Sequence, residues 1–266
     1  MIDDRFQRTT GIVAPETLER IAEMHVLIAG VGGTGGQVAM DLTRMGFGML
    51  TLSDFDVYEI HNSNRQIGCF ESTVGTPKVD VIARMCRDAN PGIRLRVFAD
   101  GVNEANVPEL VRPTDDFPPP NYVIEVMDLA GINAKRHLYR ACREHRIIVL
   151  TGLMTGFGAT VHVFHPDAPL YEELYITDEG GVDFPKIVPR LGSYILPGYL
   201  KRCFDGTGHI PTCGIGAITA SAMMVTEIMR GVILGNDCMA NWPQYLYSDF
   251  FDRVHVLDTR DTRDPS

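Results

Sequence analysis

Short apolar runs alternate with segments whose apolar positions recur every three or four residues through the first half of the chain. His25–Gly30 (His-Val-Leu-Ile-Ala-Gly) is apolar and ends in glycine, the pattern of a buried parallel strand. Gly35–Met45 carries Val38, Ala39, Leu42 and Met45 at helical spacing, Gly46-Phe-Gly48 stops it, and Met49–Ser53 predicts a second strand. The same alternation predicts a helix over Val79–Ala89 and a strand over Ile93–Ala99 with Ile93, Leu95 and Val97 on one face. A strand over Tyr122–Met127, a helix over Asn133–Glu144 and a strand over Ile147–Thr151 follow. Such an order predicts an α/β fold with a Rossmann-like, doubly wound, mainly parallel sheet.

The second half reads differently. Gly158–Phe164 alternates as a strand, after which periodicity fades over 165–211, where prolines stand at 166, 169, 185, 189, 197 and 211. A stretch that long without regular elements is read as a functional loop or a mobile lid. Gly214–Leu234 predicts a helix apolar on most sides and therefore buried, and Tyr245–Asp258 predicts two short closing antiparallel strands before a polar tail. Residues 1–266 are read as a single domain, with 1–157 as a nucleotide-binding half and 158–266 as crossover, buried helix and closing strands.

Composition narrows the function. Twenty-four Lys and Arg against 34 Asp and Glu give a net charge of −10, which argues against a general DNA-binding or anionic-membrane surface. No uninterrupted apolar run reaches the roughly 18–20 residues of a membrane span, because Thr219, Thr226, Glu227 and Arg230 break the longest one. The N-terminus lacks a signal-peptide pattern, so a cytoplasmic location is expected. The cysteines at 69, 86, 142, 203, 213 and 238 include no C-x-x-C pair, so no structural zinc is expected.

The chemistry concentrates after the first strand. Gly30-Val-Gly32-Gly33-Thr-Gly35-Gly36 leads into a helix, where glycine permits close backbone approach and the helix N-terminus offers N–H groups to phosphate. Asp54 ends the second strand, where a carboxylate can accept a ribose hydroxyl. These features suit an NAD-dependent oxidoreductase as well as any other nucleotide binder. The segment that follows is less generic: Asp54, Asp56, Asn62, Asn64, Arg65 and Gln66, then Gly75-Thr-Pro-Lys78 at a helix start. A dehydrogenase has no need of Arg65 and Lys78 there, whereas a triphosphate does, because its charge must be offset as a phosphoryl bond breaks.

On these motifs the chain resembles the ubiquitin-activating enzyme superfamily in its ThiF/MoeB type. The G-x-G-G-x-G turn, the D-F-D strand end, N-x-N-R-Q and G-x-P-K occur in the family's order and spacing. The resemblance covers Arg5–Thr151 well and Thr212–Leu234 and the last strands more loosely. It implies an ATP- and Mg2+-dependent adenylyltransferase that activates a carboxylate as an acyl adenylate. Gly30, Gly32, Gly33 and Gly35 would then form the phosphate turn and Asp54 would hold the ribose. Asp56, Asn62, Asn64, Arg65, Gln66 and Lys78 would surround the triphosphate. Asp128 matches the family's metal-binding aspartate, in a Met-Asp-Leu context where the family usually has T-D-N. Arg5-Phe-Gln-Arg8 resembles the family's R-[YF]-x-R, in which the second arginine reaches the partner subunit's ATP; this implies a homodimer with Arg8 acting across it.

The family's carrier-activating members use a cysteine near the crossover. Cys203, beside Lys201 and Arg202, is the first candidate because cations favour a thiolate, and Cys213, directly before the apolar helix, is the second. The stretch His209-Ile-Pro-Thr-Cys213-Gly resembles the one following the catalytic cysteine in the ubiquitin-fold-modifier activating enzyme, which favours Cys203. His61 and His209 have no evident partner that would make either a base. The expected substrate is the C-terminal carboxylate of a ubiquitin-like or sulfur-carrier protein, or a peptide. The N-x-N-R-Q form also resembles the cyclic threonylcarbamoyladenosine dehydratase branch, which acts on tRNA; the net charge speaks mildly against that substrate.

Overall fold

A computed structural model of the chain describes residues 3–128, 131–169, 194–196, 198–199, 202 and 211–251. Its centre is a seven-stranded sheet of order β3-β2-β1-β4-β5-β6-β7. The strands are β1 (His25–Ala29), β2 (Met49–Ser53), β3 (Arg94–Phe98), β4 (Tyr122–Glu125), β5 (Ile148–Thr155), β6 (Gly158–Phe164) and β7 (Tyr245–Asp249). β1 to β5 pair in parallel, while β6 and β7 add antiparallel to β5. The strand order reverses between β1 and β4, so the carboxyl ends of those two strands bound the crevice where open α/β sheets bind ligands.

Alternation along the central strands sorts the core into two layers. Val26 and Ile28 face one cluster with α1 (Pro15–Ala22), α2 (Gly33–Met45), α3 (Lys78–Ala89) and α6 (Gly214–Leu234). Leu27 and Ala29 face the other, with α4 (Val107–Val111) and α5 (Ile132–Glu144). Both layers are needed because a central parallel strand is apolar on both faces. α6 packs on α2, β5 and β6, and Ala220, Met224 and Ile228 are fully buried there. By length and composition α6 does reach the dimensions of a membrane span, contrary to the reading of its polar residues as breaks. Most of its surface is instead covered by the sheet and α2, and Ser221 donates to Asp41 of α2 at 2.7 Å.

Several expectations change. α2 and α3 begin earlier than expected, at Gly33 and Lys78, and β5 runs on to Thr155. Val97 is exposed because β3 is an edge strand that α3 covers only in part; Ile93 and Leu95 do face the core. α1 and α4 had not been expected. One closing strand is described, and the second expected one, the tail, most of the crossover and residues Cys203 and His209 lie outside the described residues.

At the head of β1, His25 is fully buried, with Nδ1 2.8 Å from the Pro118 carbonyl oxygen and Nε2 2.8 Å from Thr51 Oγ1. Burial holds its pKa down from 6.5 to about 4, assisted by Arg96 and Arg94 and opposed by the Pro118 contact. The unfolded chain therefore binds one more proton than the fold between these values. Stability from this group is full above 6.5 and is lost as pH falls toward about 4, on the order of 3 kcal/mol. Urea midpoints measured across this range should decline on acidification, and His25→Gln should flatten the decline.

Candidate active site

The crevice begins where β1 leaves the sheet. Gly30 has φ +92°, and a Cβ on it would stand 2.8 Å from the Val126 carbonyl oxygen at the exit of β4. A Cβ on Gly35 would stand 1.8 Å from the Gly30 carbonyl oxygen, so only glycine lets α2 start this close to the turn. Gly32 occupies the N-cap position of α2 and supplies no side-chain oxygen to the first helical N–H groups. Those donors are left for an anion, in keeping with the helix dipole.

Asp54 is built into the same turn. Its Oδ2 accepts the Val31 N–H at 2.7 Å and its Oδ1 accepts the Asp56 N–H at 2.9 Å. Burial pushes its carboxyl above the usual range, against the pull of those two N–H groups and of Lys78. Each carboxylate oxygen has a second lone pair, so Asp54 can orient the turn and still accept a ribose hydroxyl. Lys78, the first residue of α3, is buried and lies 2.8 Å from Asp56 Oδ2, while its N–H donates to the Asp56 carbonyl at 2.9 Å. The lysine expected to face a triphosphate is thus held in place by a half-exposed carboxylate.

Residues 59–66 wrap over the turn. The buried Asn62 caps this strap, its Oδ1 accepting the Glu59 N–H at 3.0 Å, and its carbonyl accepts the Arg65 and Gln66 N–H groups at 3.1 and 2.9 Å. Its Oδ1 thus shapes the strap, the segment expected to face the triphosphate. A Cβ on Gly33 would lie 3.4 Å from Arg65 Cγ, and one on Gly32 would lie 3.6 Å from Gln66 Nε2, so both side chains stand on the turn. Gln66 is 6% exposed and its Oε1 has no hydrogen-bond partner among the described residues. A buried orphaned acceptor beside unpaired helix N–H groups fits a bound nucleotide. Arg65 Nη1 donates to Asn64 Oδ1 at 2.9 Å and to the His61 carbonyl at 3.2 Å.

Other expected residues are placed less closely. Asp128 is exposed just past β4, and its side chain has no partner among the described residues. Its loop adjoins the turn through Val126, whose N–H donates to Ala29 at 2.9 Å. Arg8 is exposed, without a partner among the described residues. Cys213 precedes α6, its Sγ donating to the Gly156 carbonyl at 3.3 Å. His61 sits 3.1 Å from Glu59 on the surface.

Three neighbours of the site were not anticipated. Met154 lies on the turn, its Cε 3.3 Å from the place of a Gly33 Cβ. Thr212 accepts the Asn64 side-chain N–H at 3.1 Å, bringing the start of α6 to the strap. Glu125, inside an otherwise apolar strand, pairs with Lys135 of α5 at 2.9 Å. A carboxylate in an apolar run was the one visible signal; its partner is set by the fold.

The chain is similar to several known proteins. The chain is 33% identical over 147 residues to the tRNA threonylcarbamoyladenosine dehydratase of Escherichia coli, covering 55% of this chain and 52% of that protein. It is 29% identical over 234 residues to the sulfur carrier protein adenylyltransferase of Thermus thermophilus, covering 87% and 78%. The chain thus spans about half the length of the dehydratase it matches. The fold superimposes on the structure of the Escherichia coli tRNA N6-threonylcarbamoyladenosine dehydratase in complex with ATP with a TM-score of 0.65 at 22% identity, covering 88% of this chain and 97% of that one. The model of the ThiF family matches residues 6–263, nearly the whole chain, and the protein belongs to that family.

Proposed function

We propose that the protein is an ATP-dependent adenylyltransferase that converts a carboxylate to an acyl adenylate with release of pyrophosphate. The observation that carries this reading is the set of groups on the Gly30–Gly36 turn. Unpaired α2 N–H groups and Arg65 stand on the turn, Lys78 is joined to it through Asp56 and Asp54, and the orphaned Gln66 Oε1 can accept from a nucleotide hydroxyl or amino group, whereas a dinucleotide would need only the turn and Asp54. In this reading the glycine turn cradles the phosphates and Asp54 takes the ribose. A carboxylate oxygen attacks the α-phosphorus, the bond to the β,γ-pyrophosphate breaks, and pyrophosphate leaves with the bridging oxygen. Arg65 and Lys78 offset the charge that develops on the departing group, and no covalent nucleophile of the protein is needed for this step.

Asp128 would hold magnesium. Among the described residues no cluster of three or more ligating side chains exists. A single free carboxylate is the donor set that suits this ion, which commonly binds one or two carboxylates together with substrate phosphates and water. Bound there, the ion would neutralise phosphate charge. Arg8, exposed and unpaired among the described residues, would complete the site of a second copy in a homodimer. Residues 1–157 would form the nucleotide half of one domain and 158–266 its substrate side.

The substrate we favour is the C-terminal carboxylate of a sulfur-carrier or ubiquitin-like protein, or of a peptide. The match to the sulfur carrier protein adenylyltransferase extends over 87% of the chain, against 55% for the tRNA-modifying dehydratase. The net charge of −10 also disfavours a polyanionic substrate.

Lys78→Ala and Arg65→Ala should each reduce substrate-dependent ATP–pyrophosphate exchange about 100-fold, as for loss of one preorganised donor, with the fold retained by circular dichroism. Full exchange in either variant removes the triphosphate assignment. Thermal-shift titration should give stabilisation by Mg·ATP and none by NADH; the reverse result would remove the triphosphate reading in favour of a dinucleotide site. Asp128→Asn should keep ATP affinity in EDTA and lose most of the gain that magnesium adds, measured by isothermal titration.

A further inference from the structure

Of the ion pairs among the described residues, only Glu125–Lys135 has both side chains almost fully buried, at 0% and 3% exposure. Desolvating two charges costs several kcal/mol per ion, and an apolar pair of similar volume is often as stable or more so. Stability therefore does not explain the pair. Its position does. Glu125 is the last residue of β4, and Lys135 is the fourth of α5. Asp128 lies in the chain between them. Glu125 Oε1 takes Lys135 Nζ at 2.9 Å and also accepts the Met127 N–H at 2.9 Å, while Oε2 lies 3.4 Å from Thr151 Oγ1 and 3.5 Å from Tyr139 Oη. Within the loop, the Gly131 N–H closes on the Asp128 carbonyl at 3.0 Å. One carboxylate thus fixes the end of the strand, the backbone next to Asp128 and the first turns of α5.

The same loop is locked to the nucleotide turn. Val126 N–H donates to Ala29, and Gly30 lies so close to Val126 and Met127 that no Cβ would fit between them. We propose that Glu125 and Lys135 are positioning residues that set Asp128 relative to the Gly30–Gly36 turn. They act through the loop backbone and do not touch the nucleotide. This rests on the reading of Asp128 as the magnesium ligand.

The test uses the full chain with Glu125→Gln/Lys135→Met, which removes both charges at nearly constant volume, beside Asp128→Asn and Lys135→Arg. The double variant should keep or raise its urea midpoint, and peptides covering 126–131 should exchange amide hydrogens faster. Its magnesium-dependent gain in ATP affinity should fall about tenfold, while affinity in EDTA stays within about threefold of the parent. Lys135→Arg, which keeps the charge, should restore most of the gain. An unchanged gain in the double variant, with Asp128→Asn defective, overturns the positioning role and leaves the metal reading standing. An unchanged gain in Asp128→Asn overturns the metal reading and this proposal with it. A double variant that does not fold, or loop exchange at the parent rate, also overturns it, because the pair would then be a stability element or no anchor at all.

Discussion

The approach of Gly35 to the Gly30 carbonyl oxygen sets the geometry of the whole nucleotide end of the sheet. With no side chain between them, α2 begins directly after the exit of β1, and its uncapped first N–H groups stand at the end of the sheet where its strand order reverses. Asp54 ties the turn to β2, and Val126 ties it to β4. A methyl group at Gly35 would push the helix away from the strand and separate the donors from Asp54 and Gln66 together, since a packed interior has no slack to absorb it.

Residues around this turn show how buried polar groups are arranged when a ligand is to complete them. Lys78 has Asp56, Arg65 has Asn64 and the His61 carbonyl, and Asp54 has two backbone N–H groups. Each is oriented without being used up. A half-exposed carboxylate can hold an ammonium in place and still yield part of it to phosphate, whereas a sealed pair could not do so without an unpaired buried charge. Glu125 and Lys135 are the sealed kind, and they sit one layer behind the crevice.

Much of this was legible in the chain. The glycine turn, the Asp54 strand end, the Arg65–Gln66 strap and the Lys78 helix start lie within some fifty residues, so local spacing brings them together, and the ends of the apolar helix Gly214–Leu234 were read without error. α1 carried its signals, a proline at the first position and an amphipathic pattern through Leu18 and Ile21, that had gone unread. α4 is a single short turn region with weak periodicity. That Val97 is exposed while Leu95 packs on the core could not be read, because alternation does not tell an edge strand from a central one. The contacts that could not be read join distant segments: Met154 to the turn, Thr212 to Asn64, Lys135 to Glu125. Each depends on which strands become neighbours, and no spacing within one element encodes that.

The Asn64 side chain has a consequence for traffic between the two halves. Its amide nitrogen holds the carbonyl of Thr212, and its oxygen holds the guanidinium of Arg65. Thr212 stands just before α6, so a single planar amide joins the start of that helix to the strap that carries Arg65. An amide is planar and turns as one body, so the positions of the Thr212 carbonyl and the Arg65 guanidinium are linked through it. Were two ligands to bind at these two ends, any coupling between them would be reciprocal in free energy.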